Sequence, residues 1–187
     1  MAPDNYMTYD QFGRKFFEIA VTEDRVGGAI GSIAGDAFEI GPIAQGPGKI
    51  AKVTAKVRIL DPRVVRTVSE MITFDIRIPL EIDMVVDLRI HRPKFMVFGE
   101  IALSATASAA EPLLLILDVE KPRPSDISIH VTSKSLRAEV VRVLGNIDAE
   151  IRRFIAAHVS GEIASPASQK AKVIDIANSI DAAWTGV

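Results

Sequence analysis

The chain has 187 residues, 48% of them hydrophobic and 25% charged, which suits one packed domain and excludes a disordered chain. A formal net charge of −2 gives no bulk attraction to nucleic acid or an anionic membrane. The lack of any cysteine removes disulfides and thiolate metal sites.

In chain order, Met1 to Gly13 reads as an arm or short turn, without the basic start, apolar run and small-residue cleavage site of a signal peptide. Phe16 to Val21 reads as a first strand. Thr22 is then an N-cap, with Glu23 and Asp24 in the first helical turn, and Val26, Ile30, Ile33 and Ala37 or Phe38 at helical spacing. Gly27, Gly31 and Gly35 recur at intervals of four, which puts small residues on one face and predicts close packing there. Residues 41 to 49 read as a loop from their Gly and Pro content.

From Ala51 the period becomes two. Ala51, Val53, Ala55, Val57 and Ile59 alternate with polar residues as far as Asp61-Pro62. Val64 to Ser69 is short and ambiguous. The clearest pattern follows: Ile72, Phe74, Ile76, Ile78, Leu80, Ile82, Met84, Val86, Leu88 and Ile90 take every even position, and only Pro79 and Val85 interrupt the polar odd ones. At ~3.3 Å per residue this run would extend roughly 60 Å. It is either one long strand bent at Pro79 or two strands joined there; the lack of an Asn-Gly or Asp-Gly turn favours the single strand. Phe95, Val97, Ile101, Leu103, Ala105 and Ala107 begin the next strand, in which Gly99 suggests a bulge and Met96 and Phe98 break the polar face. Leu113 to Val119 and Ile127 to Thr132 are two more strands, separated by Lys121-Pro122-Arg123-Pro124.

A long amphipathic helix closes the pattern. Ser133 or Ser135 caps it, and Leu136, Val140, Val143, Leu144, Ile147, Ile151, Phe154, Ile155 and Val159 form its apolar stripe. Gly145-Asn146 suggests a bend, and Gly161 a stop. After Pro166 a second helix is expected over 167–184. The domain reading is an arm over 1–15, a curved-sheet and long-helix domain over 16–163, and a helical appendage over 164–187.

Strands followed by helices point to an α+β fold, with a highly curved antiparallel sheet wrapped around the long C-terminal amphipathic helix. Each strand has one apolar face and the helix one matching stripe, so each covers the other. An elongated cavity between them would be lined by Ile76, Ile78, Leu80, Ile82, Met84, Val86, Phe95, Val97, Ile101, Val140, Leu144, Ile147 and Ile151.

Catalytic signals are absent. His91, His130 and His158 lie in different elements without metal-ligand spacing, and no nucleophile elbow, phosphate-binding glycine loop or zinc motif occurs. Asp75, Glu81, Asp83 and Asp87 share a strand face, but Arg77 and Arg89 intervene, which predicts a charge-balanced wet surface. The basic segment Lys49, Lys52, Lys56, Arg58, Arg63 and Arg66 lacks the aromatics of a nucleic-acid surface.

The stretches Phe17 to Val26, Ile50 to Ile59, Ile72 to Ile90 and Leu136 to Val159 resemble, in pattern and order, the tubular lipid-binding (TULIP) superfamily, in its single-domain bacterial phospholipid-binding type. The resemblance covers about residues 16 to 160 and rests on no signature motif; the helix after Pro166 has no counterpart in it. It implies binding or transfer of a lipid without chemistry, and dimers joined at the domain ends. The expected partner is a lipid or apolar small molecule, with transient membrane contact and no nucleic acid, metal or cofactor. The sequence as given points to the cytoplasm; with an export signal removed, the protein would belong to the cell envelope. The competing readings are an interaction module with a filled core that acts by dimerising, and an enzyme with an apolar pocket, which a buried, pKa-shifted carboxylate would reveal.

Overall fold

The computed structural model describes residues 6–34, 37–45, 48, 51–88, 90–131 and 138–185, with the side chains at 32–34, 45, 131 and 138–146 outside the description. Helices α1 (Tyr9–Ala20) and α2 (Glu23–Ala34) lead into strands β1 (Ala37–Gln45), β2 (Ala51–Ile59), β3 (Arg63–Val68), β4 (Ile72–Asp87), β5 (Lys94–Ala110), β6 (Leu114–Val119) and β7 (Ile127–Val131). Helix α3 (Ala138–Ala164), the short helix α4 (Pro166–Ala171), strand β8 (Val173–Asp175) and helix α5 (Ile176–Thr185) complete the chain. The fold is α+β, and its antiparallel sheet curls strongly into a half-barrel.

Two long strands organise the sheet. β4 and β5 pair continuously from Ile72↔Ala107 to Val85↔Lys94, so even positions of β4 share a face with odd positions of β5. Each long strand carries two short strands along its other edge. β2 pairs with Leu80 to Asp87, and β3 with Ile72 to Arg77. Likewise β7 covers Val97 to Ile101 of β5, and β6 covers Ala105 to Ala110. Pro79 therefore falls opposite the break between β2 and β3. Its missing N–H wastes no ladder bond there, and its carbonyl still accepts from Leu60 N–H at 2.9 Å. The run from Ile72 is one strand, as the missing turn signal indicated, but it ends at Asp87, and Ile90 stands 99% exposed beyond it.

Gly99 marks a close approach and no bulge. Pairing passes through it in register on both sides, and a Cβ there would stand 2.8 Å from the Ser128 carbonyl oxygen. The bulge lies in β1 instead, where the register shifts between Ile40 and Ile43. Gly41 supplies its conformation, with φ at 103°. Residues 41–45 are thus strand and not loop, and Ala37 and Phe38 open that strand instead of ending a helix.

Helix α1 takes the place of the expected arm from Tyr9 on and of the expected first strand as far as Ala20; residues 1–5 of that arm lie outside the described residues. Thr8 and Gln11 form a reciprocal capping box, with Thr8 N–H donating to Gln11 Oε1 and Gln11 N–H to Thr8 Oγ1. Two arginines satisfy carbonyls at its other end: Arg66 reaches Glu18 and Val21, and Arg25 reaches Ile19 and Ala20. Thr22 caps α2 as expected, accepting from Arg25 N–H. The glycine face of α2 lies on β3: a Cβ at Gly27 would meet Val64 Cγ2 at 3.5 Å, an ordinary contact, so the spacing is close without being obligatory. Gly35, Lys49, Arg89, Ser133, Ser135 and Leu136 lie outside the described residues.

Helix α3 runs unbroken through Gly145-Asn146 and Gly161. The tail is not a single helix: β8 pairs with β6 through Leu114↔Asp175 to Ile116↔Val173 and so joins the sheet. The boundary expected at 15/16 falls inside α1. Lys172 anchors the tail. It is 8% exposed, and its ammonium donates to the Ile163 carbonyl near the end of α3 at 3.1 Å. Burial pushes its pKa down, while nearby Asp118 pulls it up and Lys121 adds to the lowering. The folded state therefore releases this proton at lower pH than the unfolded chain. The destabilisation is full below the folded pKa and fades as pH rises toward the free-lysine value of 10.5. Lys172→Met leaves Gln169 Nε2 on the same carbonyl at 2.9 Å. Urea unfolding between neutral and alkaline pH should show a smaller rise of stability with pH in this variant than in the wild type; parallel curves would refute the coupling.

Candidate ligand-binding site

The inner face of the half-barrel is built from cross-strand pairs. Ile76 lies opposite Leu103, Ile78 opposite Ile101, Leu80 opposite Gly99, Ile82 opposite Val97 and Met84 opposite Phe95. Large side chains face small ones at Phe74↔Ala105 and Leu80↔Gly99. β2 extends this surface with Val53, Ala55 and Val57, and β7 with Ile127.

Of the residues expected to line the site, Ile76, Ile78, Leu80, Ile82, Met84, Val86, Val97, Ile101, Ile147 and Ile151 are all at most 2% exposed and belong to one buried cluster. Phe95 is half-buried against it. The side chains of Val140 and Leu144 lie outside the described residues. The stripe of α3 continues into the cluster through Ile155, Val159 and Ile163. Ile163 lies past Gly161, where the helix was expected to stop. Phe154, counted in the stripe by spacing, is 48% exposed and points away from it. The aromatic ring of Phe38 in β1 stacks on His158 of α3 with centroids 3.8 Å apart, which ties the sheet edge to the helix.

The described interior is strongly apolar. Among the described residues the buried polar side chains are Ser168 and Lys172, both past the end of α3. No group of three or more His, Cys, Asp or Glu among the described residues is placed to hold a metal. Three carboxylates of the outer face of β4 meet arginines: Arg58 bridges Glu81 at 2.6 Å and Asp83 at 3.6 Å, and Arg92 pairs with Asp87 at 2.8 Å. A polar concavity of ≈ 140 Å³ near Glu120 and Arg123 includes a self-satisfied pair. There the Arg123 hydrogen bonds hold the Asp126 carboxyl below its ordinary range. The arrangement can exclude water and hold apolar matter; among the described residues no carboxylate, histidine or lysine is buried within the inner face.

A second concavity, of ≈ 300 Å³, opens at one end of the half-barrel. Phe17, Val68, Met71, Ile72 and Ala107 contribute the apolar part of its walls, and Arg14, Glu18 and Glu70 a charged part. Ile72 and Ala107 are a cross-strand pair and members of the core cluster, so this concavity borders the edge of the inner face.

No family model matches the chain, and no curated protein does. Among the solved structures similar to it is a crystal structure of lipopolysaccharide binding protein, at 12% sequence identity and a TM-score of 0.36. That likeness covers 67% of this chain and 33% of the other, so the chain corresponds to about a third of that protein's length.

Proposed function

We propose that the protein is a non-catalytic carrier of a lipid or another hydrophobic ligand, held between the concave face of the sheet and α3. The sheet wraps the helix, in the manner of the tubular lipid-binding superfamily. One observation carries this reading: the inner surface, from Ile72 to Val86 on β4 and from Ile147 to Ile163 on α3, is built from buried apolar side chains, and over these stretches the one buried side-chain nitrogen or oxygen without a hydrogen-bond partner is Nε of Arg152, whose guanidinium pairs with Asp148. An acyl chain between them would exchange one apolar neighbour for another, so its insertion leaves no polar group unpaired. Its own transfer from water is favourable by about 0.8 kcal/mol per methylene. The opening over Ile72 and Ala107 supplies a route.

Native mass spectrometry of the gently purified protein tests this. The expected result is a population heavier than the polypeptide by the mass of one lipid, released as free lipid on activation. A bare polypeptide mass from several expression hosts would overturn it. The alternative, an interaction module acting by dimerisation, draws on the apolar residues beside the β8 edge of the sheet, where Leu113, Ile174 and Trp184 are 49%, 47% and 78% exposed. A concentration-independent dimer together with a bare mass would favour it.

A further inference from the structure

The ligand reading uses α1 only through Phe17 at the wall of the opening, yet the amphipathic pattern of the whole helix is sharply divided. At 100° per residue, Ile19, Phe12, Phe16, Tyr9, Ala20, Gly13 and Phe17 fall on one side, and Asp10, Arg14, Glu18, Gln11 and Lys15 on the other. A face so divided ordinarily packs inward. Here no residue of α1 is buried. Only Phe17 and Ala20 rest against the core cluster, whereas Tyr9 is 95%, Ile19 61% and Phe12 58% exposed. The rings of Phe12 and Phe16 stack at 6.3 Å, and Phe16 meets Phe17 edge-on, forming an aromatic ridge that leads from solvent to the core. Tyr6 and Met7 precede it, exposed as well, and across the ≈ 300 Å³ opening stand Val68 and Met71 of the β3–β4 turn.

We propose that α1 and the β3–β4 turn seat the protein on the surface of a lipid bilayer, with the helix lying in the interfacial plane and the opening facing the acyl chains. Three points select this occupant. The helix's polar side carries two acids and two bases paired among themselves, Arg14 with Asp10 at 3.4 Å and Lys15 with Glu18 at 3.5 Å. It therefore offers no net charge to a charged partner and matches a zwitterionic headgroup layer. A second copy docked by this face would gain little area. Twelve residues at 1.5 Å rise and about 10 Å width give roughly 200 Å², against about 800 Å² per partner in a stable interface. A bilayer sets no such minimum, because each inserted side chain contributes separately: the Phe rings enter the acyl boundary and the Tyr ring keeps its hydroxyl at the headgroups. At 12 residues the helix is too short to span. The seating itself does not depend on a bound ligand; only the role of the opening in passing a chain inward rests on the carrier reading.

The test uses the full chain with Phe12→Trp in a Trp184→Phe background, which leaves one tryptophan as reporter. With vesicles of pure phosphatidylcholine, emission should shift to the blue and be quenched by phosphatidylcholine brominated on its acyl chains, at low and high salt alike. No shift would overturn the proposal. So would a response confined to vesicles containing phosphatidylglycerol and abolished by salt, since that describes attraction by charge elsewhere. In flotation with the same vesicles, Phe12→Asp combined with Phe16→Asp should weaken binding by about tenfold or more with an unchanged melting temperature; undiminished flotation would count against α1. Light scattering without vesicles covers the remaining occupant: a wild-type dimer that this double variant converts to monomer would assign the face to a second copy. Vesicle binding with a bare native mass would retire the carrier reading and leave the seating intact, and a bound lipid without vesicle binding would do the reverse.

Discussion

Ile151→Ala is expected to lower the free energy of unfolding by roughly 2–5 kcal/mol. Ile151 is 2% exposed, one helical turn from Ile147 and from Ile155, both at 0%. Removing its outer carbons deletes contacts inside a close-packed cluster whose long strands cannot easily collapse onto the gap. The control lies about 60° around the same helix. Phe154→Ala removes a larger side chain that is 48% exposed, and should cost less than the interior substitution. Urea unfolding of the two variants decides the matter: equal losses would mean that the stripe of α3 does not face the sheet as described. The same variant bears on the carrier reading. A ligand held between helix and sheet would fill the vacated volume, so Ile151→Ala should keep its bound lipid in native mass spectra.

Gly41→Ala is expected to destabilise the fold by at least about 2 kcal/mol, although Gly41 is exposed and near the sheet edge. Its φ of 103° is in the region that a Cβ disfavours, and the added carbon would stand 2.5 Å from Val53 O and 3.0 Å from Ile43 N. Both neighbours are backbone, so no side-chain rotation relieves the contact. The bulge must open, and with it the pairing of β1 to β2 and the stacking of Phe38 on His158. Hydrogen exchange should accelerate at the β1–β2 amides before the rest of the sheet. Gly28→Ala is the contrast. A Cβ there meets nothing within 4 Å and the residue is helical, so that variant should gain up to about 1 kcal/mol. If both glycines respond alike, the bulge is not the cause.

Some elements hide from a local reading for identifiable reasons. Phe16 to Val21 is rich in β-formers, so it resembles a strand; the contrary signal was Thr8 with Gln11 three residues later, reinforced by apolar residues at 9, 12, 16 and 19–20. Gly-Pro content marks a loop in most settings, yet at Gly41-Pro42 it serves a bulge within a strand. Val173-Ile174-Asp175 is too short to declare itself and becomes a strand because Leu114 to Ile116 offer it an open edge. Phe154 fits the stripe of α3 by spacing, but the width of that stripe is set by the concave surface facing it. The candidate site divides the same way: Ile76 to Val86 and Ile147 to Ile151 stand out by period alone, whereas the opening beside Phe17 and Met71 is assembled from three separate stretches of chain.

By itself the sequence determined the period-two runs of β2, β4 and β5, the amphipathic helix near the C-terminus, and hence that two apolar surfaces must leave water together. Alternation is a property of one segment's backbone geometry and needs no partner to be expressed. Tertiary structure alone decided that β2 with β3 and β6 with β7 each share one long strand's edge, that the tail returns to the sheet, and that α1 stays largely uncovered. Those outcomes depend on the free energy of surfaces meeting across more than 50 residues of chain, as Leu114 meets Asp175 and Arg66 meets Glu18 across nearly as many, and no local window contains both sides of such a contact.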